Sequence, residues 1–366
     1  MASIFLPRSI RIGGGTIAEL PAALAQFGLA APAILTDPFL AQNGTLDRLL
    51  TILAAAGIAA RAYCDVISDP TVASVEAAHS FVAEAAHDSV IALGGGSPID
   101  TAKAVAVLAV RGGTMRERKM PHQEDAPALP IVAIPTTAGT GSEATRVTVI
   151  TDEANDEKML CAGLAYLPTI AIVDYELTLT KPLRLTADTG IDALTHAIEA
   201  YVSRLANPFS DGMALAAMRA IWPNLRTACA EPGNRAAREA MMAGSLQAGI
   251  AFSNASVALV HGMSRPIGAH FHVAHGLSNA MLLPAVTAWS APAALPRYAD
   301  CARAMGLAAE GEGDQAAVAR LVEALRDVNR DLAVPTPKSY GIDEARWNEL
   351  LPLMAEQALA SGSPGN

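Results

Sequence analysis

Short, almost continuously apolar runs recur through the first half of the chain, and they constrain its fold more than any other feature. They open the segments 31–37, 89–97, 130–145 and 169–174. Between them, residues 71–87 and 98–110 have the three- and four-residue apolar spacing of helices. Strands that are apolar along their whole length and alternate with helices are typical of a parallel sheet covered on both faces. The pattern therefore predicts an α/β domain with a parallel, Rossmann-like sheet.

The second half of the chain has a different pattern, because the strand-like runs stop after about residue 182. Segments rich in alanine, leucine and methionine follow, with apolar positions at helical spacing. They span residues 186–203, 207–229, 233–261, 293–306 and 313–328. A chain of 366 residues is long enough for two domains. We predict an α/β domain over residues 1–181 and an all-α domain over residues 182–366, with the boundary near Lys181 and Pro182.

Composition narrows the class of protein further. No apolar run approaches the length of about 20 residues that a membrane-spanning helix needs, and the first residues, MASIFLPRSIRIGGG, do not have the pattern of a signal peptide. The net charge of −10 disfavours nucleic acid as a partner, because phosphate binding needs a basic face. The four cysteines lack CxxC spacing and are typical of reduced thiols. We expect a cytoplasmic protein without nucleic-acid or membrane partners.

A glycine-rich loop follows the second apolar run. Gly94, Gly95 and Gly96 allow the backbone to approach a bulky anion, and Ser97 and Pro98 suit the N-cap and first position of a helix. A helix N-terminus offers bare N–H groups and partial positive charge, which suit a pyrophosphate. The spacing is neither G-x-G-x-x-G nor a Walker loop. For this loop alone, a turn without a ligand is the alternative.

Polar residues end two further runs. Asp37 ends the first of them, where a carboxylate can accept hydrogen bonds from an adenosine ribose and would repel a 2′-phosphate. Thr136, Thr137, Thr140 and Ser142 form a hydroxyl-rich loop after the third, for which turn formation and helix capping are the alternative. Ligands bind at the carboxyl ends of parallel strands. The three loops together indicate a dinucleotide site, and Asp37 favours NAD over NADP.

A candidate metal site combines two distant segments. Asp192 and His196 lie four residues apart, on one face of a predicted helix, although a salt-linked pair is the alternative for such spacing. A histidine cluster follows, consisting of His261, His270, His272 and His275. The expected helix breakers around it are Gly262, Pro266, Gly268 and Gly276. Imidazole and carboxylate ligands suit Fe²⁺ or Zn²⁺, but spacing leaves open which of the later histidines bind.

Together these motifs resemble the iron-containing (group III) alcohol dehydrogenases, whose fold is shared more distantly with dehydroquinate synthase and glycerol dehydrogenase. The matching stretches are GGGSPIDTAK (94–103), PTTAGTGSEAT (135–145), ITDE followed by Lys158, AIVDYELTLT (171–180), TGIDALTHAIEAYVS (189–203) and HGM…HG (261–276). They occur in the family's order and cover essentially the whole chain. The resemblance implies a metal- and NAD-dependent oxidoreductase that transfers hydride between an alcohol or aldehyde and the cofactor.

The resemblance also implies roles for individual residues. The implied metal ligands are Asp192, His196, His261 and His275, with Fe²⁺ as the first expectation and Zn²⁺ as the alternative. The implied cofactor residues are Asp37, Asp69, Gly95, Gly96, Ser97, Asp100, Thr136, Thr137, Thr140 and Lys158. Asp69 stands where many relatives have asparagine. Phe252 is implied near the substrate.

Arg265 departs from the family pattern, because many relatives have at this position a histidine suspected of relaying the alcohol proton. An arginine is effectively always charged and is a poor relay, so His270, His272, a ribose hydroxyl or water are the substitutes. A guanidinium can instead bind a substrate carboxylate, phosphate or phosphonate in bidentate fashion. The alternative is a pairing with a protein carboxylate or a helix C-terminus.

Two further functions compete with the dehydrogenase. The first is an NAD- and metal-dependent lyase or cyclase of the dehydroquinate synthase type, which the PTTAGTGSE and DALTHAIEAY stretches disfavour. The second is a binding protein without turnover, although all four ligand positions are filled. Relatives commonly self-associate, so a homodimer or higher homo-oligomer is expected.

Overall fold

The computed structural model describes residues 2–155 and 157–363, and the chain forms two compact units. The first contains Phe5–Thr137 and Gly141–Leu179. The second contains the described residues of 1–4, 138–140 and 180–366. No helix in the described part of the chain is long and apolar enough to cross a membrane.

The first unit is an α/β layer structure. Its strands are β1 (Ser9–Ile12), β2 (Pro32–Thr36), β3 (Arg61–Tyr63), β4 (Ser89–Gly94), β5 (Ile131–Pro135), β6 (Val147–Asp152), β7 (Glu157–Ala162) and β8 (Ile170–Val173). Its helices are α1 (Leu20–Gln26), α2 (Pro38–Gln42), α3 (Thr45–Ala55), α4 (Val72–Ala83) and α5 (Gly96–Arg111). The main sheet is parallel, in the order β1-β8-β5-β4-β2-β3, and β6 and β7 form a separate antiparallel pair. The predicted parallel α/β fold is therefore confirmed.

Both faces of the main sheet are buried, which explains why its strands are apolar throughout. In β4, Val90 and Ala92 join the core on one face, while Ile91 and Leu93 join the core on the other. Successive strand residues point to opposite faces, so a strand with two apolar environments has no polar face.

The loop after β4 requires glycine at one position. Gly94 has a φ of 156°, and a Cβ there would lie 2.3 Å from the Cγ of Pro98. The predicted N-cap is wrong, because α5 begins at Gly96 and Gly95 is its N-cap. Ser97 instead lies inside the first turn, where its Oγ accepts a hydrogen bond from the backbone N–H of Asp69 at 3.2 Å.

The second unit is helical, as predicted. Its helices are α6 (Leu183–Val202), α7 (Pro208–Ala230), α8 (Arg235–Ser253), α9 (Leu259–Phe271), α10 (His275–Ser290), α11 (Leu295–Ala304), α12 (Asp314–Asp331), α13 (Pro337–Tyr340) and α14 (Glu344–Ala360). The predicted segment 233–261 is two helices, since α8 ends before α9 begins. A core that spans α6 to α12 holds this unit together.

The expected helix breaks within the histidine cluster are wrong for three residues. Gly262, Pro266 and Gly268 all lie inside α9, where all three are buried against neighbouring helices. Tertiary packing outweighs the weak local preference against glycine and proline at these positions. The helix ends instead at His272, which has a φ of 54°.

Candidate active site

Helix α6 presents an acidic and imidazole stripe to the interior of the helical unit. Asp192, His196 and Glu199 are separated by four and three residues and therefore lie on one helix face. All three are buried, with exposed fractions of 1%, 4% and 3%. Buried ionisable groups need partners, so this stripe indicates a site and not a solvated surface.

His261 of α9 and His275 of α10 complete a cluster with Asp192 and His196. One potential ligand atom from each residue lies within 4.8 Å of all the others. Asp192 Oδ1 is 3.7 Å from His261 Nε2 and 3.8 Å from His275 Nε2. Metal–ligand bonds of about 2.0–2.2 Å separate neighbouring tetrahedral ligand atoms by roughly 3.3–3.6 Å. The spacing therefore fits one metal ion with little movement.

Glu199 fixes the orientation of the His261 ring. The Nδ1 of His261 donates to Glu199 Oε2 at 2.5 Å, and the backbone N–H of Val260 donates to Oε1 at 2.6 Å. Burial raises the pKa of Glu199 to about 7. Burial, followed by the charges of His196 and Arg265, holds the pKa of His261 well below its ordinary value. The neutral ring thus directs its Nε2 lone pair towards Asp192, as a ligand does.

The hydrogen bonding of the cluster also fits a cation. The Nδ2 of Asn279 lies 2.7 Å from Asp192 Oδ1, 3.0 Å from His261 Nε2 and 3.3 Å from His275 Nε2. An amide nitrogen has two hydrogens, so it cannot satisfy three acceptors at once. His196 Nδ1 is also buried without a hydrogen-bond partner in the described residues. The four candidate ligands thus present several lone pairs to one small volume that contains little positive charge. A divalent metal would supply that charge.

Two of the residues predicted near the substrate adjoin this cluster. The ring of Phe252 stacks on that of His196, with centroids 4.4 Å apart and an angle of 19° between the ring planes. Arg265 lies one turn after His261 on α9, and its Nη1 donates to the backbone oxygen of Ser361 at 3.2 Å. Ser361 is the C-cap of α14, so this contact is the helix C-terminus pairing given as the alternative for Arg265. Burial lowers the pKa of Arg265 to about 10, so the side chain stays charged at neutral pH.

The structure does not bring His270 to the cluster. His270 follows His261 by nine positions, which is about two and a half turns of an α-helix. The two side chains therefore lie on opposite faces of α9. Its Nε2 contacts Gln357 Oε1 of α14 at 3.0 Å. His272, the other substitute relay, is exposed at the end of α9.

Several of the predicted cofactor residues meet in the α/β unit. Lys158 Nζ forms an ion pair of 2.9 Å with Asp69, whose backbone N–H contacts Ser97. Asp37 is the N-cap of α2, and its Oδ1 accepts from Leu40 N at 2.9 Å.

Asp100 and the hydroxyl loop are linked by a buried network. Asp100 accepts from Ser142 Oγ at 2.9 Å and from Val149 N at 3.1 Å. Lys103 Nζ donates to Ser142 Oγ at 3.0 Å and also contacts the side chain and backbone of Thr145. Asp100, Ser142 and Lys103 therefore tie the start of α5 to the loop after β5.

The remaining loop residues divide between the two units. Thr136 N donates to Gly94 O at 2.9 Å, and a Cβ at Gly95 would lie 3.3 Å from Thr137 Oγ1. Gly96 is the first residue of α5. Thr140 belongs to the segment 138–140, which groups with the helical unit and not with the other cofactor candidates.

Sequence reasoning missed Glu199, Asn279 and Lys103. Glu199 extends the spacing of Asp192 and His196 by one more turn on the same helix face, so the periodicity contained the signal. Asn279 stands four residues after His275, which is a similar but weaker signal. Lys103 has no local signal, because its acceptors lie about forty residues later in the chain.

A parallel α/β unit and a helical unit with a buried Asp/His cluster are typical of a metal-dependent oxidoreductase. A sequence model described as "Iron-containing alcohol dehydrogenase" matches residues 7–175. A second, described as "Fe-containing alcohol dehydrogenase family, C-terminal", matches residues 186–366. The chain belongs to the iron-containing alcohol dehydrogenase family, which confirms the predicted family and class of enzyme.

Individual relatives extend this similarity over the whole chain. The chain is 39% identical over 354 residues to "Long-chain-alcohol dehydrogenase 1" of Geobacillus thermodenitrificans, covering 96% of this chain and 89% of that protein. The solved structure of a 1,3-propanediol oxidoreductase has a TM-score of 0.94 at 34% identity, covering 99% and 94% of the two chains. That of sulfoacetaldehyde reductase from Bifidobacterium kashiwanohense, in complex with NAD⁺, has a TM-score of 0.89 at 28% identity, covering 100% and 94%.

Proposed function

We propose that the protein transfers hydride between an alcohol or aldehyde and NAD, with a divalent metal held by Asp192, His196, His261 and His275. The observation that carries the proposal is the convergence of these side chains, three of them buried and His275 partly exposed, from three helices onto one small volume. Iron is the first expectation because of the family, and zinc suits the same ligands.

For the cofactor, we assign the glycine loop at Gly95 and Gly96 to the pyrophosphate and Asp37 to the adenosine ribose. The start of α5 supports the first assignment, because this helix has no side-chain cap and begins directly after a parallel strand. The Asp69–Lys158 ion pair and the Asp100 network are assigned to the nicotinamide half. Ser97, Thr136, Thr137 and Thr140 complete the proposed cofactor set.

The chemistry divides between the metal and the protein. A divalent metal held by the four proposed ligands would supply Lewis-acid polarisation of the substrate oxygen, and NAD would supply the hydride chemistry. Glu199 holds His261 in the tautomer that ligates. Phe252 covers one face of the His196 ring. Arg265 keeps its proton at neutral pH, so we assign it to orienting the substrate and not to proton transfer.

Metal analysis combined with an NADH-linked screen of alcohols and aldehydes tests this proposal. We expect about one equivalent of divalent metal and stoichiometric NADH formation, which a lyase or cyclase would not give with simple alcohols. His261→Ala should lose metal and activity together, whereas His272→Ala, at the exposed end of the same helix, should keep its metal. Full metal content in His261→Ala would contradict the ligand assignment.

For the substrate class, we propose an anionic aldehyde or hydroxy acid bound by Arg265. One observation favours it: a guanidinium that stays charged at neutral pH lies one turn from His261. Its Nη1 donates to the C-cap of α14, so a substrate anion would bind to its other N–H groups. The sulfoacetaldehyde reductase relative is named for an anionic aldehyde. A bidentate contact to a substrate anion would use two N–H groups on one edge of the planar guanidinium.

A pair of aldehydes of equal length, one anionic and one neutral, tests the role of Arg265. Hydrogen bonds to charged groups contribute about 1.5–3 kcal/mol, so Arg265→Leu should lower kcat/KM for the anionic aldehyde roughly 10- to 100-fold. The neutral aldehyde should change little, and Arg265→Lys should retain part of the selectivity. Equal losses on both substrates would reject the anionic class.

We also propose a cytoplasmic protein that forms a homodimer or a higher homo-oligomer. The four cysteines are free thiols, as expected for a reducing compartment. Light scattering of the purified protein tests the oligomeric state, and a monomeric mass would refute self-association.

A further inference from the structure

Asn279 is a fully buried amide whose contacts converge on the candidate metal ligands. It follows His275 by one turn of α10, and its side chain is 0% exposed. The Nδ2 contacts Asp192, His261 and His275, and the shortest distance is the 2.7 Å to Asp192 Oδ1.

The orientation of this amide follows from its surroundings. If Oδ1 faced the cluster, it would meet a carboxylate oxygen and two acceptor nitrogens, all of which repel an acceptor. With Nδ2 facing the cluster, Oδ1 is buried without a hydrogen-bond partner in the described residues. Because a buried polar atom without a partner destabilises the fold, folding alone does not account for asparagine at this position.

The three contacts differ in what happens when the ligands bind a metal. An imidazole nitrogen has one lone pair, which a metal would take, so His261 and His275 would lose the amide contact. A carboxylate oxygen has two lone pairs, so Asp192 Oδ1 can bind a metal and still accept a hydrogen bond. The amide has a role both before and after loading, and the lasting one is at Asp192.

We propose that Asn279 is a positioning residue of the metal centre, which aligns the Asp192 carboxylate with the imidazoles of His261 and His275 and keeps its bond to Asp192 in the loaded protein. The inference rests on the proposed function, because it requires these residues to be ligands. Hydrogen bonds to ligating carboxylates and histidines typically change metal affinity 10- to 100-fold.

Metal affinity of Asn279→Leu, which has a similar shape and no hydrogen-bonding group, tests the inference. Stripped protein is titrated with Co²⁺ and Zn²⁺ against a chelator, and the visible Co²⁺ spectrum reports on coordination. We expect affinity to fall about 10- to 100-fold and the Co²⁺ bands to shift. Should this variant not fold, Asn279→Ser is measured instead; its hydroxyl is too short to reach Asp192, so the same loss is expected.

Asn329→Leu is the matched control. Asn329 also has a buried Oδ1 without a partner in the described residues, and its Nδ2 donates to Ala280 O at 2.7 Å, outside the ligand cluster. The control should keep wild-type affinity and spectrum. Wild-type metal affinity in Asn279→Leu, or an equal loss of affinity in Asn329→Leu, would overturn the role of Asn279. Neither result would contradict the proposed metal centre. Absence of metal binding in the wild-type protein would overturn the proposed function as well.

Discussion

At the residue scale, two of the candidate ligands have a hydrogen-bond partner on another helix. His261 on α9 takes its orientation from Glu199 on α6, and Asp192 on α6 takes a hydrogen bond from Asn279 on α10. Spacing along the sequence predicts Asp192 and His196 as a pair, because both lie on one helix. It cannot select His261 and His275 from the later histidines, because their side-chain directions depend on where α9 and α10 end.

Asp37 provides a test of cofactor preference at the residue scale. Its carboxylate caps α2. Asp37→Asn therefore tests the charge alone, because asparagine keeps the helix cap and removes the charge. If the carboxylate repels a 2′-phosphate, the ratio of kcat/KM for NADP over NAD should rise roughly tenfold, since two close charges in water interact by about 1 kcal/mol or more. An unchanged ratio, with unchanged stability, would count against placing the ribose at Asp37.

Glu143 provides a test of pH dependence. Burial raises the pKa of Glu143 from 4.5 to about 7, while its own backbone N–H and Lys103 act in the opposite direction. Between pH 4.5 and about 7, the folded protein therefore binds more protons than the unfolded chain does. The stability that Glu143 contributes below pH 4.5 is lost as the pH rises to about 7. Glu143→Gln stays neutral, so its free energy of unfolding relative to wild type should rise between about pH 5 and pH 8. Urea unfolding of both proteins across this pH range measures the difference. A difference in unfolding free energy that does not change with pH would refute the prediction.

At the scale of elements, the strands that are buried on both faces and the long helices were predicted well, whereas the other strands were not. The buried strands β2, β4, β5 and β8 and the long helices α6 and α7 lie close to their predicted ranges. The strands β1, β3, β6 and β7 lack a continuous apolar run, and pairing stabilises them: β1 and β3 pair with strands of the main sheet, while β6 and β7 pair with each other. The continuity of α9 through Pro266 likewise depends on packing against its neighbours.

Close contact between α10 and α6 provides a test at the same scale. A Cβ at Gly276 would lie 2.7 Å from the backbone oxygen of Asp188, so Gly276→Ala must push α10 away from α6. Because His275 is adjacent, its distance from Asp192 should increase. We expect reduced metal affinity and a loss of about 1–3 kcal/mol in the free energy of unfolding.

Gly212→Ala is the control for this change. Gly212 is exposed on α7, and a Cβ there would have no neighbour within 4 Å. Alanine is the better helix former by about 1 kcal/mol, so this variant should match or exceed wild-type stability and keep its metal. A Gly276→Ala protein that behaved like the Gly212→Ala protein would show that the close approach has no role.

At the scale of the whole molecule, the chemistry is divided between two differently built units. The candidate ligands all lie in the helical unit, and most of the candidate cofactor residues lie in the α/β unit. Each unit has its own hydrophobic core. A ligand that binds one unit should therefore stabilise that unit first.

Metal removal tests this division. Free metal about a hundredfold above its Kd stabilises the folded protein by about 2.7 kcal/mol, so a chelator should lower the Tm. Hydrogen exchange should become faster in α6, α9 and α10, which carry the ligands, while the strands β2, β4 and β5 keep their protection. Equal loss of protection in the strands, or no change in the helices, would contradict a metal site confined to the helical unit.

The sequence by itself determined the two kinds of architecture, the glycine loop, the Asp192/His196 pair and, through its motifs, the family. These features are local: periodicity, chain direction and residue spacing act over a few turns or one strand. Residue spacing left open which of the later histidines join the cluster, and His261 and His275 came only from the family resemblance. The tertiary structure shows these two in the cluster, and it alone shows that Glu199 and Asn279 contact them and that His270 faces α14. Those outcomes depend on contacts between helices far apart in the chain, where burial and hydrogen-bond geometry outweigh local preference.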